Sequence, residues 1–273
     1  MEPDRTLAPA GTLPNFFIAG VIKGGTGALH QYLSHHPEIF MTEVKEPRYF
    51  GTDGSGRLEG YMRLFEGTGG RPVRGEATSS YFHSDEALGR IKRLIPDAKI
   101  LVSLRNPVDR AYAHCCMLRG VPRVDDEVLL RGRTEYWATA SLYADRLSQC
   151  FDSFGRSNVH VSIFEDWARH VADELREIYR FLQVDPDVVL NDAVHYRPAV
   201  PVWGRLSQHP MARFAKRILP RTLLREINDL KFQLSRKPGS ASPAARTAMY
   251  AWYRDDIERV QSILGRSLAA WTP

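Results

Sequence analysis

One lysine, three glycines and a threonine lie together near the start of the chain, in the order Lys23-Gly24-Gly25-Thr26-Gly27. Before them, Phe16 to Ile22 is apolar and is typical of a short buried strand. After them, apolar residues recur at helical spacing, at Ala28, Leu29, Tyr32 and Leu33. A glycine turn between a strand and a helix can bind an anion, because the free amides at the helix start point toward the ligand and the helix dipole favours negative charge. We expect Lys23 to add a positive charge and Thr26 a hydroxyl to such a site.

The spacing of this loop differs from that of the P-loop of nucleoside triphosphatases. The motif GxxxxGK[ST] places its lysine directly before the hydroxyl residue, whereas two glycines separate Lys23 from Thr26. The sequence therefore favours binding of a phosphate-like anion without the usual magnesium arrangement. For this motif taken alone, an ordinary glycine turn with a solvated lysine stays open as the alternative.

An arginine follows the clearest strand of the chain. Lys99 to Leu104 is rich in β-branched and apolar residues, as a central parallel strand should be, and Arg105 comes directly after it. Open α/β sheets bind ligands at the carboxyl ends of their strands. We therefore expect Arg105 at a ligand site, and the alternative is that it only pairs with a neighbouring carboxylate.

A charged segment, Glu43 to Phe50, places charges around a proline and two aromatic residues. This pattern is poor for a core and suits the mouth of a pocket. A charged surface loop is the alternative explanation of such a run. Further along, we expect the hydroxyl residues Thr78-Ser79-Ser80 to cap the next helix and the charged stretch from Arg119 to Arg133 to be a loop.

Strands and helices are predicted to alternate around these segments. The predicted strands are 16–22, 38–41, 73–78, 99–104 and 159–164. The predicted helices include 87–95, one that begins at Pro107, 142–154, 167–182 and 249–264. This alternation favours an α/β fold with a parallel, doubly wound sheet.

Composition narrows the range of functions. The chain has 273 residues, 43% of them apolar, and a net charge of +5 that favours anionic ligands without demanding nucleic acid. The three cysteines, Cys115, Cys116 and Cys150, form no disulfide framework and suit a reducing compartment. No stretch approaches the roughly 20 apolar residues of a membrane span, and the first residues lack the features of a signal peptide. These observations predict a cytoplasmic protein.

Taken together, the motifs resemble those of a known family. Four occur in the same order as in sulfotransferases that use 3′-phosphoadenosine 5′-phosphosulfate (PAPS), particularly bacterial enzymes related to the heparan sulfate sulfotransferases. They are Lys23-Gly24-Gly25-Thr26, Lys45-Glu46-Pro47-Arg48-Tyr49-Phe50, Gly75-Glu76-Ala77-Thr78-Ser79-Ser80-Tyr81 and Leu104-Arg105-Asn106-Pro107-Val108-Asp109-Arg110-Ala111-Tyr112. The resemblance covers nearly the whole chain after residue 14.

The resemblance implies a fold, a donor and site residues. The fold would be a single P-loop-like α/β domain with a central parallel sheet flanked by helices, spanning 15–273 after a disordered lead-in of 1–14. PAPS would be the cosubstrate and adenosine 3′,5′-bisphosphate the product, with no metal. By match to the family, the 5′-phosphosulfate would be bound by Lys23, Gly24, Gly25, Thr26 and Gly27. Arg105 would bind the 3′-phosphate, and Glu46 would be the catalytic base. Lys23 would also stabilise the charge on the leaving phosphate, and Arg48 and Tyr81 would contact the acceptor.

The chain departs from the family pattern at several positions. Ala113 stands where the family usually has a serine on the 3′-phosphate, so one phosphate contact is missing or replaced. Ala77 and Arg48 replace a lysine and a frequent histidine of the heparan sulfate enzymes, so their acceptor contacts need not carry over. The basic stretch from Lys231 to Lys237 falls where the family has a further donor-binding loop. We expect a small-molecule, glycolipid or carbohydrate acceptor, such as a secondary metabolite, and neither the transfer to oxygen or nitrogen nor the oligomeric state is readable.

Three other functions stay open at this point. A nucleotide kinase would need the Walker pairing of lysine and hydroxyl, which is absent. A binding module for polyanions such as nucleic acid would need clustered cations with aromatic residues between them, and the stretch from Arg205 to Lys237 is only moderately like that. A degenerate sulfotransferase would bind the donor without turnover.

Overall fold

The computed structural model describes residues 13–51, 58–189 and 239–272, and its strands form one parallel sheet. The strands are β1 (Phe16–Gly20), β2 (Ile39–Met41), β3 (Val73–Ala77), β4 (Lys99–Leu104) and β5 (Val159–Ile163), in the spatial order β2-β3-β1-β4-β5. In register, Ile18 of β1 lies opposite Ala77 of β3 on one side and Leu101 of β4 on the other. The carboxyl ends of β1, β3 and β4 therefore lie side by side.

The α-helices within the described residues connect these strands and extend beyond them. They are α1 (Thr26–Leu33), α2 (Leu58–Met62), α3 (Asp85–Leu94), α4 (Pro107–Arg119), α5 (Asp126–Arg131), α6 (Tyr136–Thr139), α7 (Ala144–Phe154), α8 (Phe164–Trp167), α9 (Val171–Leu182) and α10 (Pro243–Leu264). Short 3-10 turns span Arg63–Phe65, Tyr81–His83, Arg156–Asn158 and Ala269–Trp271. The predicted fold class, an α/β fold with a central parallel sheet flanked by helices, is confirmed.

The described residues group into two compact units. The first comprises 13–51, 58–106, 143–189 and 256–270 and contains the sheet. One face of β1 packs through Phe16 and Ile18 into a buried cluster with α1 and α9, to which Leu29, Leu33 and Ile178 belong. Because side chains alternate along a strand, Phe17 points to the other face, where its ring meets that of Phe50 edge-on at 5.7 Å. The sheet thus buries both faces, as a parallel sheet requires.

The second unit comprises 107–142, 239–255 and 271–272 and is helical. At its centre Arg110 is fully buried. Its guanidinium donates to the Ser141 hydroxyl at 2.6 Å and to the Trp137 carbonyl, and Nη1 lies 3.1 Å from Nδ1 of His114. A buried guanidinium needs several such partners to offset the loss of water, so this cluster holds the unit together.

The structure corrects three local predictions. The charged stretch from Arg119 to Arg133 is not all loop, because α5 forms there with Glu127 in its first turn and Arg131 in its last, paired at 2.7 Å. The predicted helix 167–182 begins later, at Val171 of α9, because Trp167 ends a separate short helix, α8. The expected capping by Thr78-Ser79-Ser80 is wrong, since the α3 cap is Ser84, which accepts from the Ala87 amide at 3.1 Å.

Several predictions fall outside this description. The lead-in predicted at 1–14 lies mostly beyond the described residues, as does the whole basic stretch from Lys231 to Lys237. The domain boundaries therefore stay predictions. Cys115, Cys116 and Cys150 are buried and are not disulfide-bonded among the described residues. None of the helices in the described ranges has the length and apolar character needed to cross a membrane.

Candidate active site

The glycine loop after β1 is tied to the neighbouring strand. The Val21 amide donates to the carbonyl of Ser103 in β4 at 3.1 Å, and the Gly24 amide turns back to the Val21 carbonyl at 2.8 Å. Lys23 has a φ of 69° and Gly25 a φ of 90°. Both lie in the left-handed region, which glycine adopts freely and lysine does not. The loop is therefore a tight turn that delivers the chain into α1.

Two glycines of this loop cannot carry side chains. A Cβ on Gly24 would overlap the Ser103 carbonyl oxygen and lie 2.8 Å from Cγ2 of Val21. A Cβ on Gly25 would overlap the Trp167 ring and lie 2.8 Å from Cδ2 of Phe164. The loop backbone thus packs directly against β4 and α8.

The first turn of α1 lacks both a side-chain cap and an acidic residue, the two features that often stabilise a helix start. Gly25 is its N-cap and makes no side-chain hydrogen bond to it, and the turn contains no acidic residue. The first amides of any helix have no acceptor within the helix. In α1 the Ala28 amide donates to the Gly25 carbonyl at 2.9 Å, so the amides of Thr26 and Gly27, together with the positive end of the dipole, are the ones that can bind an external anion. Thr26 and Gly27 supply the first positions of this turn.

The buried hydroxyl of Ser103 connects the loop to α8. It donates to the Gly24 carbonyl at 2.6 Å and accepts from Nε1 of Trp167 at 2.9 Å. Ser103 is fully buried, so both hydrogen bonds are shielded from water. Ser103 of β4 and the ring of Trp167 thus hold the glycine loop in place.

Arg105 reaches back to the same loop. Its Nη1 donates to the Lys23 carbonyl at 3.2 Å, and its guanidinium lies over the Phe164 ring, 4.8 Å from the ring centroid. The carbonyl of Arg105 accepts from the hydroxyl of Tyr143 at 2.9 Å. Its Nε is buried and has no hydrogen-bond partner among the described residues. A buried donor left unpaired is costly, and a phosphate would satisfy such a guanidinium.

Glu46 is held beside the end of β3. Its amide donates to the Ala77 carbonyl at 2.9 Å, and the next amide along β3, that of Thr78, donates to Ile18 of β1 at 3.1 Å. Glu46 has a φ of 60° and Arg48 a φ of 57°. Non-glycine residues in this region cost about 1–3 kcal/mol each and cluster at functional sites. Among the described residues, four non-glycine residues have positive φ, and three of them are Lys23, Glu46 and Arg48.

Three donors surround the carboxylate of Glu46. The Ser79 hydroxyl donates to Oε1 at 2.5 Å, and Nζ of Lys45 lies 3.2 Å from the same oxygen. Nη2 of Arg48 lies 3.3 Å from Oε2, and this arginine side chain is 58% exposed. Burial alone would raise the pKa of Glu46, but Lys45, the Ser79 hydrogen bond and Arg48 outweigh it and hold the pKa below its usual value. Glu46 is therefore ionised at neutral pH.

The predicted site residues differ in exposure. Lys23 and the glycine loop follow β1, Glu46 follows β2 and Arg105 follows β4, each at the carboxyl end of its strand, and Arg48 is exposed beside Glu46. Tyr81 is different, because its ring is fully buried and its hydroxyl lies 3.0 Å from Glu76. A contact between Tyr81 and an acceptor stays a prediction and would require that ring to leave the core.

Other residues of the site have no clear sequence signal. Ser79 and Ser103 were indistinguishable from caps and strand residues by pattern. Glu165, whose Oε1 accepts the Asn106 amide at 2.9 Å, lies 59 positions away from it. Glu76 of β3 is the residue that the sequence could have indicated, because an acidic residue inside a buried strand is rare unless it has partners.

Comparisons with known proteins agree with this geometry. Residues 79–187 match the family model described as the sulfotransferase family. The chain is 25% identical over 289 residues to the mouse bifunctional heparan sulfate N-deacetylase/N-sulfotransferase 4, covering 95% of this chain and 31% of that protein. It is 28% identical over 243 residues to the mouse heparan sulfate glucosamine 3-O-sulfotransferase 3B1, covering 82% of this chain and 62% of the relative. The chain thus spans less than two thirds of the length of either relative.

A solved structure covers almost the whole chain. The crystal structure of a sulfotransferase from Alicyclobacillus acidocaldarius superposes with a TM-score of 0.69 at 28% sequence identity, covering 95% of this chain and 98% of that one. The match therefore includes both the sheet and the segments that carry the site. The family match over residues 79–187 and this shared structure together support a sulfotransferase family for the chain.

Proposed function

We propose that this protein transfers a sulfuryl group from PAPS to a hydroxyl or amine of a small-molecule, glycolipid or carbohydrate acceptor, with Glu46 as the general base. The observations that carry the proposal are an ionised glutamate hydrogen-bonded at the end of β3 and the uncapped start of α1 that follows the adjacent strand β1. The first is a group that can accept a proton, and the second is a site for the anionic end of the donor.

The residues of the site fit a bisphosphorylated nucleotide. The amides of Thr26 and Gly27 lie at the uncapped start of α1, where they can donate to an anionic group. The unpaired Nε of Arg105 lies on a guanidinium suited to a phosphate. We assign the 5′-phosphosulfate to Lys23, Gly24, Gly25, Thr26 and Gly27, and the 3′-phosphate to Arg105. Ala113 provides no hydroxyl, so Arg105 would carry more of that contact.

The proposed chemistry divides between two groups of residues. The bound donor supplies an activated sulfuryl group and a phosphate leaving group. Glu46 removes the proton from the acceptor hydroxyl or amine as that atom attacks sulfur. Lys23 and the amides of α1 stabilise the negative charge that grows on the leaving phosphate, in the manner of an oxyanion hole. Loose transfer of this kind depends mainly on positioning and electrostatics, by analogy with phosphoryl transfer.

The acceptor class rests on the relatives and on the mouth of the site. The two relatives are named for heparan sulfate, one for N-sulfation and the other for 3-O-sulfation, so both nitrogen and oxygen acceptors are included. Arg48 and Lys45 flank Glu46, with side chains 58% and 33% exposed. We expect Arg48 to contact the acceptor and to move away from Oε2 as the acceptor enters.

The proposal is tested in two steps. Thermal shift with adenosine 3′,5′-bisphosphate should stabilise the protein, whereas ATP with magnesium should not, and stabilisation by ATP with magnesium alone would favour a kinase. Incubation of a metabolite extract and a carbohydrate panel with sulfur-labelled PAPS, followed by mass spectrometry, should then reveal a sulfated product. The Glu46→Gln variant is the control for background transfer. Binding of the bisphosphate without transfer to any acceptor would indicate a degenerate enzyme.

A further inference from the structure

A second glutamate lies buried in the strand beside the proposed base. Glu76 of β3 is fully buried. Its Oε1 accepts from the hydroxyl of Tyr61 at 2.8 Å and from that of Tyr81 at 3.0 Å, and its Oε2 accepts from Thr78 at 2.7 Å. A buried carboxylate is expensive unless it is hydrogen-bonded, and here three hydroxyls from three segments converge on it.

Two of these three hydroxyls also accept from the loop that carries Glu46. Oγ1 of Thr78 accepts the Arg48 amide at 3.3 Å, and the hydroxyl of Tyr81 accepts the Phe50 amide at 3.2 Å. Each hydroxyl has only one proton, and a proton donated to Glu76 leaves the oxygen lone pairs facing the amides. The carboxylate therefore orients both hydroxyls so that their oxygens can accept from the loop amides.

The loop needs such support because of its backbone. Glu46 and Arg48 both have left-handed φ angles, 60° and 57°. Residues in this region persist only when the surroundings over-determine them. The fixed amides of Arg48 and Phe50 provide two anchors, and the Glu46 amide bonded to Ala77 at 2.9 Å provides a third.

We propose that Glu76 is a positioning residue for Glu46, acting through the Thr78 and Tyr81 hydroxyls to hold residues 46–50 in the conformation that presents the base to the acceptor. This inference rests on the proposed function of Glu46. Glu76 itself touches neither donor nor acceptor.

The electrostatics agree with this arrangement. Burial raises the pKa of Glu76 to about 7, against the lowering effect of the bonds from Thr78, Tyr61 and Tyr81, and the charge of Glu46 raises it further. Near neutral pH a substantial fraction of Glu76 is thus still ionised and accepting from all three hydroxyls. Its neighbour Tyr61 stacks its ring on Tyr49 at a centroid distance of 4.3 Å.

A matched pair of phenylalanine variants tests the proposal. Tyr81→Phe and Tyr61→Phe each remove one hydroxyl from the same carboxylate oxygen and keep the ring, but only Tyr81→Phe also removes the acceptor of the Phe50 amide. We expect amide hydrogen exchange of residues 46–50 to be about tenfold faster in Tyr81→Phe than in Tyr61→Phe. We expect kcat to fall about tenfold more in Tyr81→Phe, with the KM for PAPS unchanged in both.

A second variant keeps the test decisive if Tyr81→Phe does not fold. Glu76→Gln retains an acceptor for the phenols and should keep most of kcat, whereas Glu76→Met, whose thioether is only a weak acceptor, should lower kcat about tenfold and speed exchange in residues 46–50. Equal exchange in the two tyrosine variants and in the two Glu76 variants would overturn the inference. Faster exchange with unchanged kcat would also overturn it. Absence of transfer in the wild-type protein would instead overturn the proposed function, because the exchange comparison does not depend on activity.

Discussion

The hydroxyl of Ser79 donates to Oε1 of Glu46 at 2.5 Å, and Ser79 is itself buried. A short hydrogen bond to a carboxylate favours its ionised form. Together with Lys45, this contact occupies Oε1, whereas the described partner of Oε2 is the exposed guanidinium of Arg48. We infer that Oε2 is the oxygen that receives the acceptor proton.

Replacement of Ser79 should move the pH dependence of transfer. Ser79→Ala removes a bond that favours ionised Glu46, so the pKa of Glu46 rises and the acid limb of the kcat/KM profile moves to higher pH. The charges that face Glu46, namely Lys45, Arg48 and Glu76, are unchanged in this variant. Ser80→Ala removes the neighbouring hydroxyl and serves as the control. An acid limb at the same pH in both variants would contradict the role of Ser79.

Removal of the proposed base should abolish most turnover and spare donor binding. Glu46→Gln keeps the size of the side chain but cannot take a proton, so we expect kcat to fall about 10²-fold or more. The affinity for adenosine 3′,5′-bisphosphate, measured by calorimetry, should change little. Near-normal turnover of the folded variant with donor in excess would show that Glu46 is not the base.

Substitution of the two cations assigned to the donor should affect different quantities, namely kcat for Lys23 and nucleotide affinity for Arg105. Lys23→Ala should lower kcat about 10²-fold, because this charge is proposed to act on the leaving phosphate. Arg105→Lys keeps the charge but loses the planar contact with Phe164 and the bond to the Lys23 carbonyl. We expect it to raise the dissociation constant of adenosine 3′,5′-bisphosphate about tenfold or more.

An arginine on α9, outside the proposed donor-binding residues, controls for the loss of one positive charge in Lys23→Ala. Arg176 on α9 pairs with Asp173 at 3.1 Å and is half-exposed. Calorimetry of Arg176→Ala should give the wild-type dissociation constant. If Arg105→Lys also did so, the 3′-phosphate would have to lie elsewhere.

Alanine substitutions at two glycines can separate the cost of a left-handed backbone from the cost of steric overlap. Gly25 and Gly67 have similar φ angles, 90° and 80°, but a Cβ on Gly67 would meet no atom within 4 Å. Gly67→Ala should therefore cost only the left-handed penalty of about 1–2 kcal/mol. Gly25→Ala should cost about 1–3 kcal/mol more, because its Cβ also overlaps Trp167. Urea unfolding of both variants measures the difference, and equal losses would mean that Trp167 does not pack on the loop.

Glu76 and Glu46 should make the free energy of unfolding depend on pH in opposite directions. The pKa of Glu76 is raised from 4.5 to about 7, so the folded state binds more protons than the unfolded state between these values. Its contribution is complete below about pH 4.5 and is lost as pH rises to 7, a change on the order of 3 kcal/mol. The lowered pKa of Glu46 gives stability that is present at neutral pH and lost as pH falls.

Unfolding curves at several pH values measure these contributions. Between pH 5 and 7, Glu76→Gln should flatten the fall in the free energy of unfolding, whereas Glu46→Gln should reduce that fall only slightly, because the charge of Glu46 is the smallest of the effects that act on the pKa of Glu76. The same slope in wild type and Glu76→Gln would contradict a raised pKa for this carboxyl.

The framework of the site could be predicted because it depends on local patterns. The apolar run before Arg105 fixed β4, and the run before Lys23 fixed β1, to within two residues at its end. Pro107 begins α4 as expected. Since the ends of parallel strands share one edge of a sheet, these two predictions alone place Lys23 and Arg105 at that edge.

The supporting contacts could not be predicted in the same way. Ser79 and Glu46 are 33 positions apart and Tyr61 and Glu76 are 15 apart, and no local pattern encodes either pair. The hydroxyls of Thr78 and Ser79 were interpreted as helix caps because that is their usual use. Here buried carboxylates compete for them, and a hydrogen bond to a charged group is stronger than a cap.

The two hydrogen bonds of the Ser103 hydroxyl bear on how tightly the donor can bind. This hydroxyl locks Gly24 to Trp167, so the turn at the head of α1 is already rigid when empty. Little chain entropy remains to be lost when a nucleotide arrives, and more of the contact energy becomes net affinity. Pre-organisation of this kind would let the protein retain its carrier even with one phosphate contact fewer at Ala113.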